Sequence, residues 1–341
     1  MAVTMKDIAN DLGVSVVTVS KAMRNHNDIS LKTRTRVLQR IKELDYRPNL
    51  AARSLATGKS YLMGLVVPDL VHPFFSLVAK GASRVLRKKG YSLIIASSEE
   101  DPDLEIQELS QMMARNLDVY IVASAQTGPE SFRRFVEQKK SLILVDRRFS
   151  SFPAHYVGTD DKEIGRIATD HLIERGCQQI ACIGGRDVSP AMDRLEGYKE
   201  ALTSHGLPVL EQFVVTRVNG DNHGDVTGFE AMNSLLRLSP RPDGVFCLND
   251  PTAMGAMKAI AESGLRIPQD IAVIGCGNVP YASELRVPLS SVDQDCEMIG
   301  ENAAKLAFSL VEGKQPMASP KTILMKPKLI PRNSTNRISQ E

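Results

Sequence analysis

From residue 61 onward the sequence alternates short, nearly continuous apolar runs with longer amphipathic stretches, and few folds accommodate that alternation. Runs at 62–67, 91–97, 119–123, 142–146, 179–183, 213–218, 244–248 and 271–275 predict strands. Stretches at 74–89, 104–115, 162–175, 193–204, 225–238, 252–263 and 297–311 predict helices. Strands apolar along their whole length belong in parallel sheets covered by helices on both faces. There are too many for one compact sheet, so two doubly wound subdomains are expected, with a break near Thr159-Asp160. Ligands of such sheets settle beyond the carboxyl ends of the strands. Those ends carry Asp146-Arg147, Asn249-Asp250 and Gly275-Cys-Gly-Asn278, polar groups that suit a hydroxylated metabolite and equally an α/β enzyme.

The first sixty residues have another texture. They hold 11 Lys+Arg against 5 Asp+Glu, a local net of +6 in a chain whose total is +2, so the remainder is acidic. Such asymmetry points to contact with a polyanion, a solvated basic tail being the alternative. Thr4-Met-Lys-Asp7 opens like a capping box, Ile8, Ala9 and Leu12 follow at helical spacing, and Gly13 stops the helix. Ser15 is placed to cap a second helix running to about Arg24, and Ser30 a third with a Val37, Ile41, Leu44 stripe. Two short helices around a Gly-containing turn, closed by a third, make a helix-turn-helix unit.

The second helix presents Val17, Ser20, Lys21 and Arg24 away from Val19 and Met23. In a major groove Val17 would meet a thymine methyl and Lys21 the guanine acceptors. Val16 shares the Val19/Met23 spacing and reads equally as core. Ser15, Thr18, Ser20, Ser30 and Thr33 sit near helix starts, where each could bond a phosphate or act only as a cap. Residues 49–58 predict one more short helix, capped by Asn49 and stopped by Gly58, below the roughly 12–15 residues an isolated helix needs. Such a segment is an ordinary linker, or it orders on DNA and wedges Leu55 into the minor groove beside Arg53.

Enzyme and metal signatures are poorly represented. No GxxxxGK[ST], GxSxG or HExxH occurs, and the six histidines are dispersed. Glu99-Glu100-Asp101 and Asp160-Asp161 read as caps or solvated turns rather than catalytic pairs. Five scattered cysteines argue for a reducing cytosol and against disulfides. No run of roughly 18 apolar residues is present, and the first ten residues lack the apolar region of a signal peptide. No cofactor, no metal and no membrane partner are expected.

In order along the chain, Lys6-Asp-Ile-Ala-Asn-Asp-Leu-Gly-Val-Ser-Val-Val-Thr-Val-Ser-Lys21, Tyr46-Arg-Pro-Asn49, Ala52-Arg-Ser-Leu55, Gly64-Leu-Val-Val-Pro-Asp69, His72-Pro-Phe-Phe75 and Asn249-Asp250 resemble the LacI/GalR family of bacterial transcription regulators. The resemblance implies an all-α helix-turn-helix domain (1–47), a hinge helix (48–59), and a periplasmic-binding-protein-like core of two doubly wound parallel-sheet subdomains. These would be 60–159 with 295–321, and 160–294 with 322–332, followed by a tail at 333–341. It implies a cytoplasmic homodimer on a pseudo-palindromic operator of double-stranded DNA, most often a repressor, controlled by a small-molecule effector in the cleft.

By the same resemblance Val16, Val17 and Lys21 read bases, and Ser15, Thr18, Ser20, Arg24, Ser30 and Thr33 meet phosphates. Asn49, Arg53 and Leu55 form the minor-groove hinge, and Phe74, Phe75, Asp146, Arg194, His223 and Asn249 line the effector pocket. Lys21 and Arg24 depart from the family's usual Arg and Asn. Gly277 stands where the family has an effector-binding Asp, a loss expected to cost about 2 kcal/mol or more. That departure turns the expectation from a plain neutral hexose toward an anionic or larger ligand, with Arg194 or His223 as partner. A transporter's solute-binding protein and an α/β enzyme fused to a DNA-binding unit are the competing classes. The tail lacks the leucine heptads of a tetramerising coiled coil.

Overall fold

The computed structural model describes residues 3–23, 25–46, 54–55, 57–184, 188–216, 224–313 and 319–337. The chain divides into two compact units, 1–60 and 61–341.

The small unit holds α1 (Met5–Leu12), α2 (Val16–Met23) and α3 (Leu31–Glu43). Thr4 and Asp7 form the expected capping box, with the Asp7 amide donating to Thr4 Oγ1 at 3.3 Å and the Thr4 amide to Asp7 Oδ2 at 2.8 Å. Gly13 ends α1 at φ +64°, a left-handed position that glycine takes without strain. Ile8, Ala9, Val19, Ala22, Val37 and Tyr46 close a miniature core.

The large unit contains two six-stranded sheets. In the first, β1 (Leu62–Val67), β2 (Ser92–Ser97), β3 (Val119–Val122), β4 (Ser141–Val145), β5 (His155–Thr159) and β11 (Thr322–Met325) run parallel in the order β11-β5-β4-β3-β1-β2. In the second, β6 (Ile180–Ile183), β7 (Val214–Val215), β8 (Gly244–Cys247), β9 (Ala272–Cys276) and β10 (Ser290–Asp293) run parallel, and β12 (Lys328–Ile330) lies antiparallel to β10. The first sheet is covered by α4 (Pro73–Lys88), α5 (Pro102–Ala114), α6 (Arg133–Glu137) and α11 (Cys296–Glu312). The second is covered by α7 (Asp161–Glu174), α8 (Ser189–Ser204), α9 (Gly224–Leu236) and α10 (Asp250–Glu262). Each sheet has an apolar cluster on both faces, as strands apolar along their whole length require.

Three helix pairs touch main chain to main chain at paired glycines. Gly81 and Gly300 join α4 to α11, Gly165 and Gly197 join α7 to α8, and Gly228 and Gly255 join α9 to α10. A Cβ at any of the six would run into a carbonyl of the facing helix.

Several boundaries differ from those expected. The third crossing between subdomains lies at 326–327, not 321–322, because Thr322–Met325 still extends the first sheet along β5. Residues 333–337 are not a free tail. A 3-10 turn, Asn333–Thr335, buries Ser334 and Thr335 against the second subdomain, where Ser334 Oγ donates to the Val273 carbonyl at 2.6 Å. The strand expected at 213–218 is reduced to a 3-10 turn and Val214–Val215, its last two residues lying outside the described ones. Asp160 caps α7 as expected, accepting from the Glu163 amide at 3.1 Å, but its neighbour Asp161 is buried rather than solvated.

Candidate functional site

On the small unit, Val19 and Ala22 turn α2 into the core, which leaves Val16 40% and Val17 62% exposed. Val16, open to either reading in the sequence, thus lies on the outer face. Lys21 is ion-paired with Asp28, so any other acceptor for its ammonium has to displace that carboxylate. Ser15 Oγ accepts from the Thr18 amide at 3.0 Å and Ser30 Oγ from the Thr33 amide at 3.2 Å. Both serines therefore act as caps, with their hydroxyls still at exposed helix starts beside Thr18 and Thr33. Ser20 is half-buried. Leu55 is 89% exposed on a helical segment that Gly58 ends at φ +69°. Arg24, Asn49 and Arg53 lie outside the described residues.

In the large unit a cavity of about 170 Å³ opens between the subdomains at the strand ends. Phe74, Phe75, Asp146, Arg194 and Asn249 all line it; His223 lies outside the described residues. Each is placed by local geometry. His72 caps α4, its Nδ1 accepting from the Phe74 amide at 3.3 Å, which sets Phe74 and Phe75 edge to face with centroids 5.0 Å apart. Asn249 caps α10 through Oδ1, with the Thr252 amide at 2.8 Å, leaving its Nδ2 group unspent among the described residues. Asp146 follows β4 at φ +61°, a strained setting for a side-chain-bearing residue and the kind of outlier that gathers at ligand sites. Tyr156 Oη pins the Asp146 carbonyl at 2.8 Å.

The cavity's charges are already largely matched. Arg194 donates through Nε and Nη2 to Asp161 Oδ1 at 2.8 and 2.7 Å, through Nη2 to Gln294 Oε1 at 2.9 Å, and through Nη1 to the Leu248 carbonyl at 2.6 Å. Arg147 clasps Glu100 at 2.8 and 2.6 Å and gives a further bond to the Ser124 carbonyl at 2.8 Å. Asp146 is different: the cation paired with its carboxylate is Arg147, whose Nε stands 3.8 Å away, beyond hydrogen-bonding distance. That Nε is itself buried without a hydrogen-bond acceptor. Burial, reinforced by the charge of Asp161, pushes the Asp146 carboxyl up to about 6. Burial likewise lowers His72 to about 4, so its ring is neutral and, with Nδ1 accepting, offers Nε2–H as a donor. Gly277 lines the cavity at φ +123°, where any β-carbon would be strained, so the chain is not simply missing an aspartate at an otherwise ready position.

His72, Glu100 and Gln294 escaped the sequence reading as pocket residues, while Arg147 was named there only as a polar group at a strand end. His72 stood in the motif His72-Pro-Phe-Phe75, and a helix-capping histidine before Pro is a signal that could have been used. Across the mouth of the cleft, the Arg148 amide donates to Ser189 Oγ at 2.9 Å and its guanidinium pairs with Asp193 at 2.9 Å, linking the two subdomains. The described residues contain no group of three or more His, Cys, Asp or Glu able to hold a metal, and no helix long and apolar enough to cross a membrane.

Residues 4–49 match the model for bacterial regulatory proteins of the lacI family, and residues 169–335 match a periplasmic binding protein-like domain. The ribose operon repressor of Escherichia coli (strain K12) is 32% identical over 337 residues, covering 97% of this chain and 99% of that protein. The chain belongs to the LacI family.

Among solved members of the LacI family, the lac repressor dimer bound to operator and the anti-inducer ONPF superposes with a TM-score of 0.84 at 25% identity, over 98% of this chain and 99% of that one. The complex of the transcriptional regulator CelR with cellobiose gives 0.74 at 28% identity, over 97% and 99%. The small unit is therefore a DNA-reading domain and the large one an effector-binding core, and the protein is a transcriptional regulator. Its named LacI-family relatives are regulators of transcription, not enzymes.

Proposed function

We propose that the protein is a homodimeric repressor whose grip on a pseudo-palindromic operator is set by an uncharged, hydroxyl-rich effector held between the core subdomains, without turnover. The Asp146 carboxylate carries this reading, because it is only 13% exposed and has no hydrogen-bond donor among the described residues. A largely covered acceptor left open in the free protein is the group a ligand hydroxyl satisfies. Phe74 and Phe75 supply the apolar faces on which a sugar ring can rest, and Asn249 and His72 supply donors. The anionic alternative suggested by Gly277 loses ground. Both guanidiniums at the cavity are committed to carboxylates, and an anion would have to displace Asp161 or Glu100. The relatives' ligands, cellobiose for one and the operon of another named for ribose, support the same class.

The discriminating measurement is a thermal-shift panel of neutral pentoses, hexoses and disaccharides against their phosphates and acids. Neutral sugars should raise the melting temperature of the full-length protein; stabilisation by the anionic set alone would overturn the effector class.

On the DNA side, Val16, Val17 and Lys21 would read base edges from α2. The capping hydroxyls would fix phosphates, and Leu55 would enter the minor groove between base steps. Leu55→Ala should weaken binding to an operator recovered by selection from random duplexes by about 30-fold or more, a loss of about 2 kcal/mol. Binding to unselected DNA should change less than threefold. Equal losses on both DNAs in a gel-shift titration would rule out the wedge.

A further inference from the structure

Because β1 to β5 and β11 are parallel, all six start at one end of the first sheet, and α4, α5 and α6 return the chain to that end. The three helix-to-strand turns there, 88–91, 114–118 and 137–140, carry five cations, Lys88, Lys89, Arg115, Lys139 and Lys140, and two carboxylates. One of those, Asp118, accepts from the Tyr61 amide at 3.1 Å. None of the five cations forms an ion pair among the described residues. Lys140 reaches only the neutral Asn116, at 2.8 Å, and Lys89 the ring of Phe308, 4.6 Å from its centroid. Elsewhere on the core several cations are matched: Lys80 and Arg84 pair with Glu297, and Lys162 with Glu196.

The second subdomain supplies an internal comparison. Its equivalent turns, 204–213, 236–243 and 262–271, carry three cations and four carboxylates. There Arg266 is bonded to Asp270, while Arg337 lies beside Asp243. A helix dipole favours cations in the last helical turn, which accounts for Lys88. It does not account for Lys139 and Lys140 beyond a five-residue helix, nor for the balance in the second subdomain.

The chain also enters the core at this cationic end, since β1 begins at Leu62. The six residues from Leu55 to Tyr61 span at most about 20 Å. A duplex gripped by the reading unit is thus joined to this end of the core by no more than that length of chain. We propose that the strand-start end of the first subdomain is a second, sequence-independent contact for DNA phosphates. It adds salt-dependent affinity to what α2 and Leu55 supply. The proposal builds on DNA binding by the small unit, which the parent protein reports in the same titration.

The test is a salt series by fluorescence anisotropy on operator and on random-sequence duplexes of equal length. The variant is Lys88→Gln with Arg115→Gln and Lys139→Asn. Residue 139 sits at φ +52°, where asparagine is at home. Removing one phosphate-neutralising cation should flatten the logarithmic salt slope by about 0.9. The variant is expected to flatten it by about 1–2 and to weaken both DNAs about five- to twentyfold near 0.15 M salt. Arg237→Gln with Arg241→Gln, at the opposite end of the core, should leave the slope unchanged. An unchanged slope in the first variant overturns the proposal, as does an equal fall in the second, which would reflect net charge alone. Should the triple variant melt early, Lys139→Asn alone, expected to weaken both DNAs by about two- to threefold, carries the same comparison.

Discussion

Arg194→Met should destabilise the core by about 3–5 kcal/mol, the cost of leaving one member of a buried ion pair without its partner. Asp161 is 5% exposed and takes two hydrogen bonds from the guanidinium, while Leu248 and Gln294 take the others. Methionine fills much of the volume and returns none of these bonds. Urea unfolding monitored at the core transition measures the loss, which should shrink as pH falls because protonating Asp161 removes the orphaned charge. Arg194→Met with Asp161→Asn should recover part of the deficit. A loss below about 1 kcal/mol in the single variant would mean that Asp161 is not held by Arg194.

Asp146→Asn should cost about 10- to 150-fold in effector affinity, since hydrogen bonds to a charged acceptor contribute about 1.5–3 kcal/mol. The parent protein should bind with a pH profile of its own. The free carboxyl titrates near 6, raised chiefly by burial. A ligand that needs the carboxylate must expel a proton below that pH. Affinity should therefore fall about tenfold per pH unit below about 6 and be flat above about 7. The raised value has a stability sign too. Ionising Asp146 in the folded, unliganded protein is unfavourable, so its contribution to stability is lost as pH rises from about 4 to about 6. Calorimetric titration of the effector between pH 5 and 8 checks the first and urea unfolding between pH 4 and 7 the second, and the asparagine variant should show no step near 6 in either. A step that survives in the variant would assign it to another group.

Much of this architecture was legible because it rests on local signals. The capping box at Thr4, the stop at Gly13 and the outward face carrying Val17 depend on spacings of three or four residues, and they appear in the fold as read. The apolar strands were equally plain. β5 and β10 were not, since His155-Tyr-Val-Gly-Thr159 and Ser290-Ser-Val-Asp293 owe their burial to the neighbouring strands rather than to their own composition. β11 is an edge strand with Leu324 turned outward, so its pattern resembles a loop.

In the pocket, residues at strand ends could be named, but their pairing could not. Glu100 meets Arg147 across 47 positions and Asp161 meets Arg194 across 33, separations that carry no periodic signal. The acidic runs 99–101 and 160–161 each divide their labour in a way composition hides. Asp101 and Asp160 cap helices, while Glu100 and Asp161 neutralise the pocket's arginines. That division is also what favours a neutral polyol over an anion as the proposed effector.

The glycine contact between α4 and α11 bears on how news of the effector leaves the pocket. With Gly81 pressed against Glu297 and Gly300 against Val78, the two helices have no side-chain cushion to compress between them. The sixteen residues of α4 form a strut about 24 Å long. One tip carries Phe74 at the cavity and the other Lys88, beside the point where the chain enters the core. A strut braced in this way bends little, so a displacement at the aromatic tip arrives at the basic tip nearly undiminished. The same bracing forbids the helix from absorbing a ligand of the wrong size by local give. A misfit at Phe74 would be transmitted as faithfully as a fit, so selectivity and signalling would share one lever.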